Sequence, residues 1–136
     1  MLSRLAYAKA ATYFYRFAFD SPTFNHHRKR FCGEDIKTGV AHADDISYIW
    51  YGTYAWKLDK SSKEYKTIER MIGLLTSFAK TSNPNCKAIE NVSWLPLAHN
   101  EANLALQIAD DLKFEIISEK EKFIVWDSLY NQNELY

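Results

Sequence analysis

The stretch that most constrains this chain is Thr12 to Phe19, Thr-Tyr-Phe-Tyr-Arg-Phe-Ala-Phe, where aromatic side chains fall on both sides of an extended backbone. A strand with one wet face alternates apolar and polar residues, so a stretch that is aromatic on both faces reads as a strand inside a sheet covered by helices on both sides. Such a strand carries N–H and C=O groups along both edges, and both edges need neighbours. The chain offers few candidates. The fold class is therefore α/β, and the sheet reads as incomplete within these 136 residues.

Helical signals surround the strand. Leu2, Leu5, Ala6 and Ala10 recur at helical spacing, which predicts a helix over residues 2–11. Asp20-Ser21-Pro22 ends the strand with turn chemistry, and Thr23 to Thr38 reads as a polar loop carrying the cluster His26-His27-Arg28-Lys29-Arg30. A basic cluster can bind phosphate or nucleic acid, but one short cluster in a neutral chain reads as a solvated loop. Asp44 or Asp45 can cap a helix whose body, Ile46 to Tyr51, is almost wholly apolar and should be buried. Ser61-Ser62-Lys63-Glu64 has the spacing of a capping box, and the helix it opens, Glu64 to about Lys80, places Tyr65, Ile68, Met71, Ile72, Leu75, Phe78 and Ala79 on one face. Asn83-Pro84 stops it. Leu104, Leu106 and Ile108, then Phe114 and Ile116, alternate about Ala109-Asp110-Asp111, which predicts a β-hairpin. Ser118 to Glu121 supplies a second capping box for a final helix lined by Phe123, Trp126, Leu129 and Tyr130.

Composition narrows the function classes. Lysine plus arginine number 17 and aspartate plus glutamate number 17, so charge recommends neither nucleic acid nor an anionic membrane as partner. No run approaches the ~20 apolar residues of a membrane span, and Met1 to Thr12 lacks the continuous apolar core of a secretory signal. Localisation stays open. Cys32 and Cys86 belong to no CxxC pair, so a disulfide between them is possible but not indicated. Asn91-Val92-Ser93 fits a glycosylation sequon that has meaning only in a secreted protein.

The chemistry-bearing stretch is Gly39-Val40-Ala41-His42-Ala43-Asp44-Asp45, downstream of the aromatic strand. A neutral imidazole can take a proton from a hydroxyl nucleophile, pass it to a leaving group, and be oriented by a carboxylate at its other nitrogen. A base of this kind needs a fixed loop, for which Gly39 supplies a sharp bend and the helix near Asp44 an anchor. By spacing alone, a histidine between glycine and aspartate is more often structural or superficial. Gly33, Gly39, Gly52 and Gly73 bracket no serine in the G-x-S-x-G pattern, and no HGGG-type run supplies an oxyanion hole. His42, Asp44 and Asp45 do not have the spacing of a metal site, and no cofactor motif is present.

The ordered series Tyr15-Arg16-Phe17, Phe19 to Pro22, Gly39 to Asp45, Ser77 to Asn85 and Trp126 to Tyr130 resembles the C-terminal part of type-B carboxylesterases, in the insect-type α-esterase branch of the carboxylesterase/cholinesterase family. Two positions depart from the pattern: Lys80 stands where arginine is common, and Leu95 separates Trp94 from Pro96. The resemblance implies that residues 1–136 are the C-terminal part of one α/β-hydrolase domain, comprising one central-sheet strand, the histidine loop, packing helices, and a terminal hairpin and helix. It implies His42 as the triad base and places Asp45 in a buried hydrogen-bond network behind the site. It also implies small-molecule carboxylic esters as substrates, with no cofactor, and a nucleophile, oxyanion glycines and acid upstream. Alone, the chain is expected to be inactive. Two further readings stay open: a cholinesterase-like adhesion or binding domain that has lost the chemistry, and a truncated product with an interaction role.

Overall fold

A computed structural model of the chain describes residues 10–50, 52, 58–89, 91–97, 104–117 and 119–129. The helix expected over 2–11 falls almost wholly outside them, and Ala10 and Ala11 are not helical. The aromatic stretch forms β1, Tyr15–Phe17, shorter than the expected strand. Its neighbour is the first strand of the expected hairpin. β2, Leu104–Ile108, runs parallel to β1 with Tyr15 opposite Leu106 and Phe17 opposite Ile108, and β3, Leu112–Ile116, returns antiparallel to β2. The sheet order is β1-β2-β3, so β1 is paired along one edge only among the described residues.

The segment between Pro22 and Gly33 corrects the expected polar loop. His26–Cys32 is a helix, α1, and its Arg28 is buried, 2% exposed, so the basic cluster is not simply solvated. Seven residues are too few to be helical without tertiary support, and that support is a buried polar array. The Ser21 hydroxyl accepts from Phe24 N at 3.0 Å and donates to Glu64 Oε1 at 2.8 Å. Asn25 donates to Phe19 O at 3.1 Å and accepts from the Tyr48 hydroxyl at 2.8 Å. The Tyr48 ring lies 4.9 to 5.6 Å from those of Phe17, Phe19 and Phe24. Burial pushes its hydroxyl well above the usual tyrosine range.

Over the described part of the expected buried helix, residues 46–50, the chain forms instead a single 3-10 turn, Asp44–Tyr48, and Tyr51 lies outside the described residues. Only Asp44 and Tyr48 are buried within it, whereas Ile46 is exposed and Trp50 is 71% exposed. The long helix, α2, spans Lys63–Thr81. Its cap is Ser62, which accepts from Tyr65 N at 3.1 Å, rather than Ser61. Glu64, assigned to the capping box, reaches the Ser21 hydroxyl instead. The buried stripe of α2 is Thr67, Arg70, Met71 and Leu74, while Ile72, Leu75 and Phe78 of the expected face stay exposed. Arg70 Nη1 donates to the carbonyls of Ala109 and Asp110 at 3.2 and 3.0 Å, fastening α2 to the hairpin turn.

Gly73 is where α2 meets the following segment. A Cβ there would lie 2.9 Å from Cys86 Sγ and 3.3 Å from Ala88 Cβ. Past α2, Asn85 and Trp94 exchange side-chain and backbone hydrogen bonds at 2.8 Å, and Trp94 packs edge-on against Tyr13 and Tyr15. The core is Phe19, Phe24, Tyr48, Met71, Leu74, Ile89, Trp94, Leu106 and Ile108. The final helix, α3, is Lys120–Leu129 with Leu129 exposed, and the side chains of Phe123, Trp126 and Tyr130 lie outside the description. Cys32 and Cys86 are free thiols.

Candidate functional site

The loop that carries His42 is built from its peptide groups outward. Gly39 has φ +95°, the left-handed region that glycine enters without steric cost, and this makes the bend before the histidine. Both of its polar backbone groups are engaged: Gly39 N donates to Asp20 Oδ2 at 2.6 Å, and its carbonyl accepts from Arg28 Nη1. Arg28 Nη1 also donates to Asp20 Oδ1. One ion pair thus grips one residue from both sides, through the peptide group before its Cα and the one after it.

The next fixed point is Asp44, 0% exposed. Its Oδ2 accepts from Ala41 N at 2.8 Å and its Oδ1 from Arg28 N at 2.9 Å, so one carboxylate ties the residue before His42 to α1. A buried carboxylate is costly unless its lone pairs are satisfied, and here backbone N–H groups satisfy them. On the other side of the histidine, Ala43 has φ +70°. That conformation costs a non-glycine residue about 1–2 kcal/mol, and the Ala43 carbonyl accepts from Ile46 N at 3.1 Å. The backbone is therefore bent and fastened on both sides of His42. Its side chain is exposed and has no hydrogen-bond partner among the described residues. A held backbone under a free imidazole is an arrangement suited to proton transfer with a group brought from elsewhere.

Asp45 is half-buried, and its Oδ2 accepts from the Tyr15 hydroxyl at 3.0 Å. Burial, followed by the Asp45 charge and hydrogen bond, pushes the Tyr15 phenol up to about 12. The fully buried carboxylate is thus Asp44, while Asp45 links the turn to β1. Asp20, Arg28 and Tyr15 are the residues of this array that sequence reasoning did not single out. The signal for Arg28 was present only as a cluster, in which nothing distinguished it from Lys29 and Arg30, both exposed.

Beside α1 lies a cavity of about 590 Å³ lined by Phe24, His26, His27, Ile46 and Trp50 among others. His26 is lowered from the ordinary histidine range by burial, then by Lys29 and His27. A second, apolar cavity of about 370 Å³ lies between β1 and α2, lined by Tyr13, Met71, Leu75, Phe78 and Trp94 among others. Among the described residues no group of three or more His, Cys, Asp or Glu is placed to hold a metal ion, and no helix is long and apolar enough to cross a membrane.

The fold is that of a piece of an α/β hydrolase. Juvenile hormone esterase from Manduca sexta superposes with a TM-score of 0.74 at 22% identity, covering 96% of this chain and 25% of that one. An esterase from Clostridium hathewayi superposes with a TM-score of 0.66 at 17% identity, over 95% and 23%. A Geobacillus stearothermophilus carboxylesterase gives 0.56 at 17%, over 86% and 22%. The profile of the carboxylesterase family matches residues 1–126, and the chain belongs to that family. Esterase B1 of Culex pipiens is 29% identical over 140 aligned positions, covering all of this chain and 26% of that protein. The chain thus spans about a quarter of the length of the relatives it matches.

Proposed function

We propose that these residues are the histidine-bearing, C-terminal part of a serine carboxylesterase domain, with His42 as the general base. In this reading a serine from the upstream part attacks the ester carbonyl while His42 takes its proton. The protonated imidazole then gives that proton to the departing alcohol, leaving an acyl-enzyme. His42 next takes a proton from water, which attacks the acyl carbonyl, and returns it to the serine as the acid leaves. Asp45 supports the turn after the histidine through its bond from Tyr15.

The observation that carries the reading is the loop itself, in a chain of the carboxylesterase family: peptide groups at Gly39 and Ala41 are fixed by Asp20, Arg28 and Asp44 while the imidazole of His42 is left open. The retention of His42 within the complete stretch Gly39 to Asp45 favours this reading over a domain that has lost the chemistry.

Alone, the chain has a base without nucleophile or oxyanion donors, and it turns over no ester. Two results test the reading. The in-frame coding sequence upstream should contain a G-x-S-x-G segment. Purified chain given a short-chain ester should show no hydrolysis above buffer. Turnover by the isolated chain that disappears in His42→Ala would overturn the division of the site, and an upstream segment without the serine would overturn the enzyme reading.

A further inference from the structure

We infer that Arg28 and Asp20 are positioning residues for His42: their ion pair fixes the backbone on both sides of Gly39 and so sets the direction in which the loop presents the imidazole. This rests on His42 being the base. The Arg28 side chain is only 3% exposed, although its partner Asp20 is 34% exposed. A single nitrogen, Nη1, serves both Asp20 Oδ1 and the Gly39 carbonyl, and the second oxygen of Asp20 takes the Gly39 N–H. The three groups close a ring around one residue, through the peptide groups on either side of the Gly39 Cα, three residues before His42.

Stability alone is a poor reason for this arrangement. Burying a guanidinium costs solvation that a well-packed apolar side chain avoids, and such pairs are often replaceable by apolar residues without loss. Here the guanidinium is not even fully satisfied, because Nε has no acceptor among the described residues. What the pair does supply is geometry. The two N–H donors of Nη1 lie in the guanidinium plane, which Nη2 orients toward the Ser21 carbonyl at 3.5 Å, so both acceptors are held in fixed directions, whereas an ammonium on a flexible stem sets no such plane. The element that delivers it fits that purpose: α1 is one short helix whose first turn is held by Asp44 through Arg28 N, and its one buried residue is Arg28. Exposed loops bearing a glycine in the left-handed region are otherwise free to swing. A displacement of about 1 Å in a catalytic group costs on the order of 10²-fold in rate.

The test uses a chimera in which residues 1–136 replace the aligned 26% of Culex pipiens Esterase B1, assayed with an uncharged short-chain ester. Arg28→Lys should lower kcat by about 10²-fold with KM unchanged, since it moves the base and not the binding surface. Combined with His42→Ala, it should lower the residual rate no further, because it acts through His42. Thermal melting of each variant separates these effects from unfolding. Should Arg28→Lys not fold, Asp20→Asn, which keeps its shape, reads the same contact. An unchanged kcat in both variants, alongside an inactive His42→Ala, would overturn the inference and leave the assignment of His42 intact. A further loss in the His42→Ala background would also overturn it. Full activity in His42→Ala would instead sink the assignment of the base.

Discussion

Replacing Asp44 by asparagine separates the two adjacent aspartates, which the sequence places side by side and the structure uses differently. In the native loop Asp44 Oδ2 lies 2.8 Å from Ala41 N and Oδ1 lies 2.9 Å from Arg28 N, with the residue wholly buried. Asparagine keeps one carbonyl oxygen and turns an NH2 group toward the other peptide N–H. That removes one hydrogen bond to a charged acceptor, about 1.5–3 kcal/mol, and strands a buried donor. The surviving bond also weakens from charged to neutral. Removing a buried negative charge returns part of this, because its desolvation is no longer needed. A net cost of about 2–3 kcal/mol for holding the loop closed corresponds to exchange faster by roughly 30- to 150-fold, at about 1.36 kcal/mol per decade. The assay is hydrogen–deuterium exchange resolved to the Ala41 and Arg28 amides in the Esterase B1 chimera. Asp45→Asn should leave those two amides within about a factor of five, since Asp45 is half-buried and bonds only the Tyr15 hydroxyl among the described residues. Equal exchange in Asp44→Asn and the parent, or the same acceleration in Asp45→Asn, would refute the reasoning.

Two other perturbations test the packing, one beside the loop and one where α2 meets the segment that follows it. Tyr15 is held in its neutral form up to about 12, above the usual 10.0. Its contribution is therefore fully present below pH ~10 and is lost as pH rises from there through ~12. An ultraviolet titration of the chimera should show one phenol ionising near 12 that is missing in Tyr15→Phe, and no such difference would count against the Tyr15–Asp45 bond. Gly73→Ala puts a methyl 2.9 Å from Cys86 Sγ. Overpacking costs about 1–3 kcal/mol, and the better helix propensity of alanine returns up to about 1, so the melting temperature should fall. Adding Cys86→Ala should recover most of the loss; additive losses would show that the contact is not the cause.

How far the sequence could be read depended on what each residue had to pack against. The hairpin was legible because Leu104, Leu106 and Ile108 alternate toward the core, where Leu106 and Ile108 are wholly buried, although Ala105 on the opposite face is wholly buried too. The bend at Gly39 was legible because only glycine enters that conformation freely. The face of α2 was misjudged in part. Ile72, Leu75 and Phe78 satisfy helical periodicity, yet among the described residues the core covers only the stripe of Thr67, Arg70, Met71 and Leu74, while Leu75 and Phe78 line the apolar cavity beside β1. Of the apolar run Ile46 to Trp50, Tyr48 joins the core and Ile49 packs against it, while Ile46 and Trp50 face outward. α1 escaped because its short run of His, Arg and Lys has no apolar stripe and its buried residue is an arginine. Arg28 is inside only because Asp20, the Gly39 carbonyl and the Ser21 carbonyl converge on it, a coincidence of tertiary structure that spacing does not record. The role of Asp44 was hidden similarly, since adjacent carboxylates look alike until the turn buries one and leaves the other against Tyr15.

The most direct test of the central claim compares two proteins in one ester assay, the purified 136-residue chain and the Esterase B1 chimera, each with and without His42→Ala. The account predicts hydrolysis by the chimera alone, reduced on the order of 10⁴-fold or more by His42→Ala in protein that still melts cooperatively. Undiminished hydrolysis by a folded His42→Ala chimera would contradict it.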